Sequence, residues 1–135
     1  MYIEEFNSEI DKSSISAHDL VSEYTNSIGL SFTIQKTCYK ILAACTELAL
    51  TSKFSPQTVV AGIIYFVSDE MKLGIKKNLI IQVCDIKSET ILMMTKILKA
   101  NRLEIFNHIK YVIKKREEAE AAELREVQRL RGRDE

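Results

Sequence analysis

The chain has 135 residues, 46 % of them hydrophobic and 28 % charged, with a formal net charge of zero, the make-up of one globular domain. A domain of that size buries on the order of two-thirds of the surface its unfolded chain exposes. The longest uncharged apolar run, Val59 to Ser68, is too short to cross a bilayer, and no basic segment with an apolar core opens the chain, so membrane insertion and secretion are not expected.

Glycine and proline are scarce, 4 and 1, which argues against strands and their turns and for helices. Three cysteines, Cys38, Cys45 and Cys84, include no CxxC pair and fit a reducing compartment better than a disulfide framework. With His18 and His108 as the sole histidines, ligands are too few and too scattered for zinc, so no metal and no cofactor is expected.

Charge is distributed unevenly. Residues 1–14 are acidic, with Glu4, Glu5, Glu9 and Asp11 against Lys12. Residues 71–113 carry eight basic residues against Asp85, Glu89 and Glu104, a net +5, whereas 114–135 hold seven of each sign. A basic half in a neutral protein is what a phosphate-binding face looks like, and also what a solvated lysine surface looks like.

Residues 1–14 have no sustained period and read as an acidic tail or linker remnant. A first helix starts at Ser16, with Asp19 three residues on as a capping partner, and stops at Gly29; its stripe is Leu20, Val21, Tyr24 and Ile28. A second runs from about Phe32 to Ser52 on Ile34, Cys38, Ile41, Leu42, Cys45, Leu48 and Ala49, which makes Cys38 and Cys45 core residues. Ser55 followed by Pro56 opens a third, to about Glu70. It is apolar nearly all round and must be covered on most sides, with Ala61 and Gly62 admitting a close neighbour.

A short fourth helix spans about Lys76 to Cys84, with Leu79, Ile80 and Val83 inward. The three-residue turn Asp85, Ile86, Lys87 leads to Ser88, expected to cap a fifth helix over about Glu89 to Lys99 with Ile91, Met94, Thr95 and Leu98 in the core. Two helices and a three-residue turn match the helix-turn-helix format, here over 76–99, whose second helix can enter a major groove. A further helix follows from Leu103 on Phe106, Ile109, Val112 and Ile113. From 108 to 135 the chain reads as a charged helix or a disordered tail, in which Leu124 and Val127 do not sustain heptads.

Three segments taken together, Ile15-Ser-Ala-His-Asp-Leu, Ser55-Pro-Gln-Thr-Val-Val-Ala-Gly-Ile-Ile-Tyr and Ile86-Lys-Ser-Glu-Thr-Ile, resemble a cyclin-like repeat. More narrowly, residues 15–107 resemble the second repeat of the transcription factor IIB family. The resemblance implies an all-α, five-helix cyclin-like domain with an extra C-terminal helical extension. It implies a general initiation factor that binds double-stranded promoter DNA and a TATA-binding-protein-like factor and helps recruit RNA polymerase, with no membrane and no small-molecule substrate. The expected location is intracellular, in the nucleus, or in a cytoplasmic viral factory if the source is a large DNA virus. Carried over by position, Thr90 and Lys96 stand where the family contacts phosphates. Glu89 and Leu92 stand where it reads base edges with an apolar residue and an arginine, so the family's promoter-element specificity does not transfer. An acid at Glu89 also complements the dipole of its own helix. Asp85 replaces the family's turn glycine. The candidate DNA contacts are therefore Lys76, Lys77, Lys87, Ser88, Glu89, Thr90, Leu92 and Lys96, the four lysines for phosphate.

The zinc ribbon and first repeat of that family are missing from these 135 residues, so the expectation is a domain excised from a larger factor. The competing reading is a cyclin-type protein–protein module that docks a kinase or polymerase subunit. An enzyme is not expected, because no Ser/His/Asp or Cys/His set is evident.

Overall fold

The computed structural model describes residues 16–134; the acidic segment expected over 1–14 and Ile15 of the first motif lie outside the described residues. Among the described residues all regular structure is α-helical: α1 Ala17–Ile28, α2 Phe32–Glu47, α3 Pro56–Glu70, α4 Lys77–Cys84, α5 Ser88–Ala100 and α6 Arg102–Asp134. The protein is all-α, and among the described residues no helix is long and apolar enough to cross a membrane.

The starts of α1, α2 and α3 follow one device. The hydroxyls of Ser16, Ser31 and Ser55 each accept from the backbone N–H three residues on, at 3.2, 3.3 and 3.3 Å. Each satisfies one of the donors that a helix N-terminus leaves free. The stops also share a form. At Gly29, Ala49 and Lys72 the chain turns through positive φ, and the next residue donates back five positions: Leu30 to Thr25, Leu50 to Cys45 and Leu73 to Ser68, all at 2.9 Å.

That motif ends α2 at Glu47, five residues before the expected Ser52. Ala49 takes φ 58° without the freedom of glycine, because the reversal returns the apolar side chains of Leu48 and Leu50 to the core. Two further expectations change. Leu79 is exposed, while α4 buries Ile80 as expected together with Cys84 and leaves Val83 half-buried, since a two-turn helix lying on α3 covers only a narrow stripe. Ser88 lies inside α5, with Lys87 in the N-cap position and no side-chain cap. Half-buried Ile86 anchors the turn and brings the chain into helical geometry one residue early.

Helix α3 is the hub. From Thr58 to Ser68 only Tyr65 escapes full burial, and α3 packs against α1, α2, α4 and α5. Its closest neighbour is α5, at Gly62: a β-carbon there would lie 2.9 Å from Cβ of Met94. Helix α6 is rooted by Ile105, which is fully buried although the expected face omitted it, and by Phe106, whose ring stacks on Phe66 of α3 at 6.1 Å. Val112 and Ile113, expected inward, are 40 % and 37 % exposed, because α6 and α2 leave an open groove between them there.

The three thiols are buried, and burial pushes each up to about 12 from an ordinary value near 9. Burial likewise raises the phenol of Tyr24. All four groups hold their protons more tightly folded than unfolded. Their contribution is therefore fully present below about pH 9 and is lost as pH rises from there toward 12.

Two outcomes are expected. Gly62→Ala costs about 1–3 kcal/mol by overpacking, read as a lower urea midpoint, and less than that when Met94→Ala accompanies it. Melting temperature falls as pH rises above about 9, with a shallower alkaline slope in Cys38→Ala; an unchanged slope would remove the thiols as its cause.

Candidate nucleic-acid interface

Helix α4 ends where Asp85 adopts the left-handed conformation, φ 53° and ψ 55°. Aspartate is one of the few non-glycine residues that visits this region, at roughly 1–2 kcal/mol. The turn closes with Ile86 N–H on Ile81 carbonyl at 3.4 Å, and the Lys87 carbonyl then accepts from Thr90 and Ile91 at 3.1 and 3.2 Å to begin α5. Two helices joined by a three-residue turn are thus present where the sequence places them.

Helix α5 has two distinct faces. Ile91, Met94, Thr95 and Leu98 are buried against the bundle, and the Thr95 hydroxyl is satisfied by the Ile91 carbonyl at 2.7 Å. Glu89, Leu92, Met93 and Lys96, spaced three, four and seven residues from the first, form the exposed face. Leu92 is 45 % and Met93 58 % exposed, so the centre of the face is apolar and its two ends are charged with opposite sign. Ser88 and Thr90 are half-buried beside Lys87 at the start of the helix.

The expected lysines fall into two groups. Lys76 and Lys77 stand at the start of α4 and share an open recess of about 710 Å3 with Lys72, Asp69, Tyr65 and Gly74. Lys87 lies beyond the other end of α4, an eight-residue helix roughly 12 Å long. The C-terminal half of α5 returns toward the recess, because Lys99 is paired with Asp69 at 2.8 Å. Lys96 is one turn before Lys99 on α5, three positions from the residue paired with Asp69 and nine from Lys87.

Not every cation of the basic half is available to a ligand. Lys99 is held by Asp69, and Arg102 by Glu70 at 2.6 Å, and in both the hydrogen bond to the carboxylate raises the pKa. These pairs join the end of α3 to α5 and α6. Lys72, Lys76, Lys77, Lys87 and Lys96 have no ion-pair partner among the described residues. Lys72 was counted in the basic half without a place in the site. Its position depends on the left-handed stop of α3, φ 54°, which no local residue type announces.

The loop carrying the first lysine group is fastened from below. Ser68, buried on α3, accepts the N–H of Ile75 at 3.0 Å, which fixes the chain one residue ahead of Lys76. Gly74 supplies the positive φ, 71°, that this approach requires. Among the described residues no group of His, Cys, Asp and Glu side chains is arranged to hold a metal ion. No protein-family model matches the chain, and neither a curated protein nor a solved structure is found to be similar to it.

Proposed function

We propose that this protein is a transcription-initiation-factor core domain that binds duplex promoter DNA through α4, the turn and α5. In this reading the bundle corresponds to a five-helix cyclin-like repeat of the transcription factor IIB type, with α6 as its extension. Its further partners are a TATA-binding-protein-like factor and RNA polymerase, and its role is binding rather than catalysis. It works inside the cell, in the nucleus or, for a viral protein, in a cytoplasmic factory.

The observation that carries the reading is the combination of a three-residue turn between two helices with five lysines outside any ion pair around it. Lysine contacts to phosphate set affinity and register without sequence preference, while base-edge contacts set specificity. Lys72, Lys76, Lys77 and Lys96 grip the backbone from one end, and Lys87 at the start of α5 grips it from the other. Within the groove Leu92 and Met93 touch thymine methyls, and Glu89 accepts from a cytosine amino group. With no arginine on that face, bidentate guanine recognition is not available to it.

The alternative is a cyclin-type protein–protein module. The observation favouring it is the exposed Leu92–Met93 pair, which would fill an apolar pocket on a protein partner as readily as it would meet base methyls.

Fluorescence anisotropy with a labelled duplex across a salt series separates the two. If Lys72, Lys76, Lys77, Lys87 and Lys96 each meet a phosphate, log K falls against log salt with a slope of roughly −0.9 × 5. Charge reversal at Lys76, Lys77 and Lys96 together removes DNA retention, while circular dichroism stays unchanged. Equal affinity in the triple variant rejects this surface; capture of a kinase or polymerase subunit with no DNA affinity favours the alternative.

A further inference from the structure

Every residue from Lys110 to Gly132 is exposed, yet the outer half of α6 is not uniformly polar. Leu124, Val127 and Leu130 are 59 %, 45 % and 47 % exposed. They stand 18 residues beyond Phe106, Ile109 and Val112 respectively, which is five full turns of an α-helix. The outer trio therefore repeats, about 27 Å further along the same face, the trio that faces the body. The inner trio has a partner, through Phe66 and α2; among the described residues the outer trio has none. An isolated helix this polar is marginal in water, and the one ion pair of its outer half among the described residues, Glu126 with Arg129, adds only tenths of a kcal/mol.

A groove of matching character lies where α2 meets α6. Its floor is Ala43 and Ala44 from α2 with Ile109, Val112 and Ile113 from α6, in a volume of about 760 Å3. Its rim is basic, Lys36, Lys40 and Arg116 against Glu47. Segment 117–126 is the reverse, with five glutamates against Arg125. Apolar trio and acidic flank thus match the apolar floor and basic rim of the groove. Helix α6 cannot deliver them to its own groove, because it continues unbroken from Arg102 to Asp134. The segment that fits must come from another molecule.

We infer that the occupant of this groove is the outer half of α6 from a second copy of the chain, in a two-fold antiparallel exchange. Placing Val127 of one copy opposite Val112 of the other sets Leu130 opposite Ile109 and Arg116 opposite Glu123. The two-fold axis makes each of these pairs twice, the self-complementarity that a closed dimer requires. Arg116, Glu120 and Glu123 interrupt the apolar stripe midway, so the ends carry the burial and the charged middle fixes direction and register. A parallel pairing would place glutamate against glutamate there. The inference does not depend on the DNA-binding reading.

Sedimentation of the full chain tests it, with a concentration-dependent dimer as the expected result. Val127→Glu with Leu130→Glu leaves a monomer of unchanged helicity, since both positions are exposed. Lys36→Glu with Lys40→Glu weakens the dimer several-fold, and adding Glu120→Lys to the same chain, which leaves Glu123 opposite Arg116, restores part of it. In an oxidised mixture of an Ala43→Cys chain and a Val127→Cys chain, the 43–127 cross-link forms between chains. A monomer at all concentrations, or cross-links between Val127→Cys chains alone, overturns the proposal.

Discussion

The approach of α5 to α3 at Gly62 governs how the rest of the bundle is arranged. With no side chain there, Met94 seats against the backbone of the hub, and Ile91, Thr95 and Leu98 fall into the core above and below it. Closer packing raises the number of dispersion contacts per residue, which a helix of small and β-branched side chains exploits on all sides. The remaining helices are then disposed around α3: α1, α2 and α4 cover its other faces, and α6 closes the end through Phe106. Because α5 is set by this contact, its outward face is set too. Glu89, Leu92, Met93 and Lys96 point away from the bundle as a consequence of what Met94 does inside it.

Electrostatics around the same elements divide between structure and surface. The end of α3 carries Asp69 and Glu70, and both are used to draw in Lys99 and Arg102. Exposed pairs of this kind add little stability one at a time. Their effect is to neutralise the basic residues nearest the hub and leave the lysines of the α3–α4 loop, the turn and mid-α5 uncompensated.

Much of the architecture was legible because it rests on local signals. Ser55 with Pro56 marks the start of α3, its unbroken apolar run marks it as covered on all sides, and Gly62 marks the point of close contact. The 3.6-residue period places Ile91, Met94, Thr95 and Leu98 inside without ambiguity. What was not legible depends on partners distant in sequence. Helix α2 stops at Ala49 and α3 at Lys72, two residues with no glycine-like signature; apolar contacts of Leu48 and Leu50 select the first turn, and at the second the Leu73 N–H closes on the Ser68 carbonyl. Leu79 has the right period and the wrong neighbour. For the candidate site, the turn and the outward face of α5 were readable. The recess formed by Lys72, Lys76 and Lys77, and the removal of Lys99 and Arg102 by acids some thirty positions earlier, were not.

The manner in which α6 is anchored has a mechanical consequence. It is rooted by Ile105, wholly buried, and by Phe106 against Phe66, and lies beside α2 as far as Arg116; the length beyond contains no proline and no glycine before Gly132. Such a rod has no hinge to absorb a load. A load on it is carried to the Phe106 ring, which stacks on the central helix against which α5 packs.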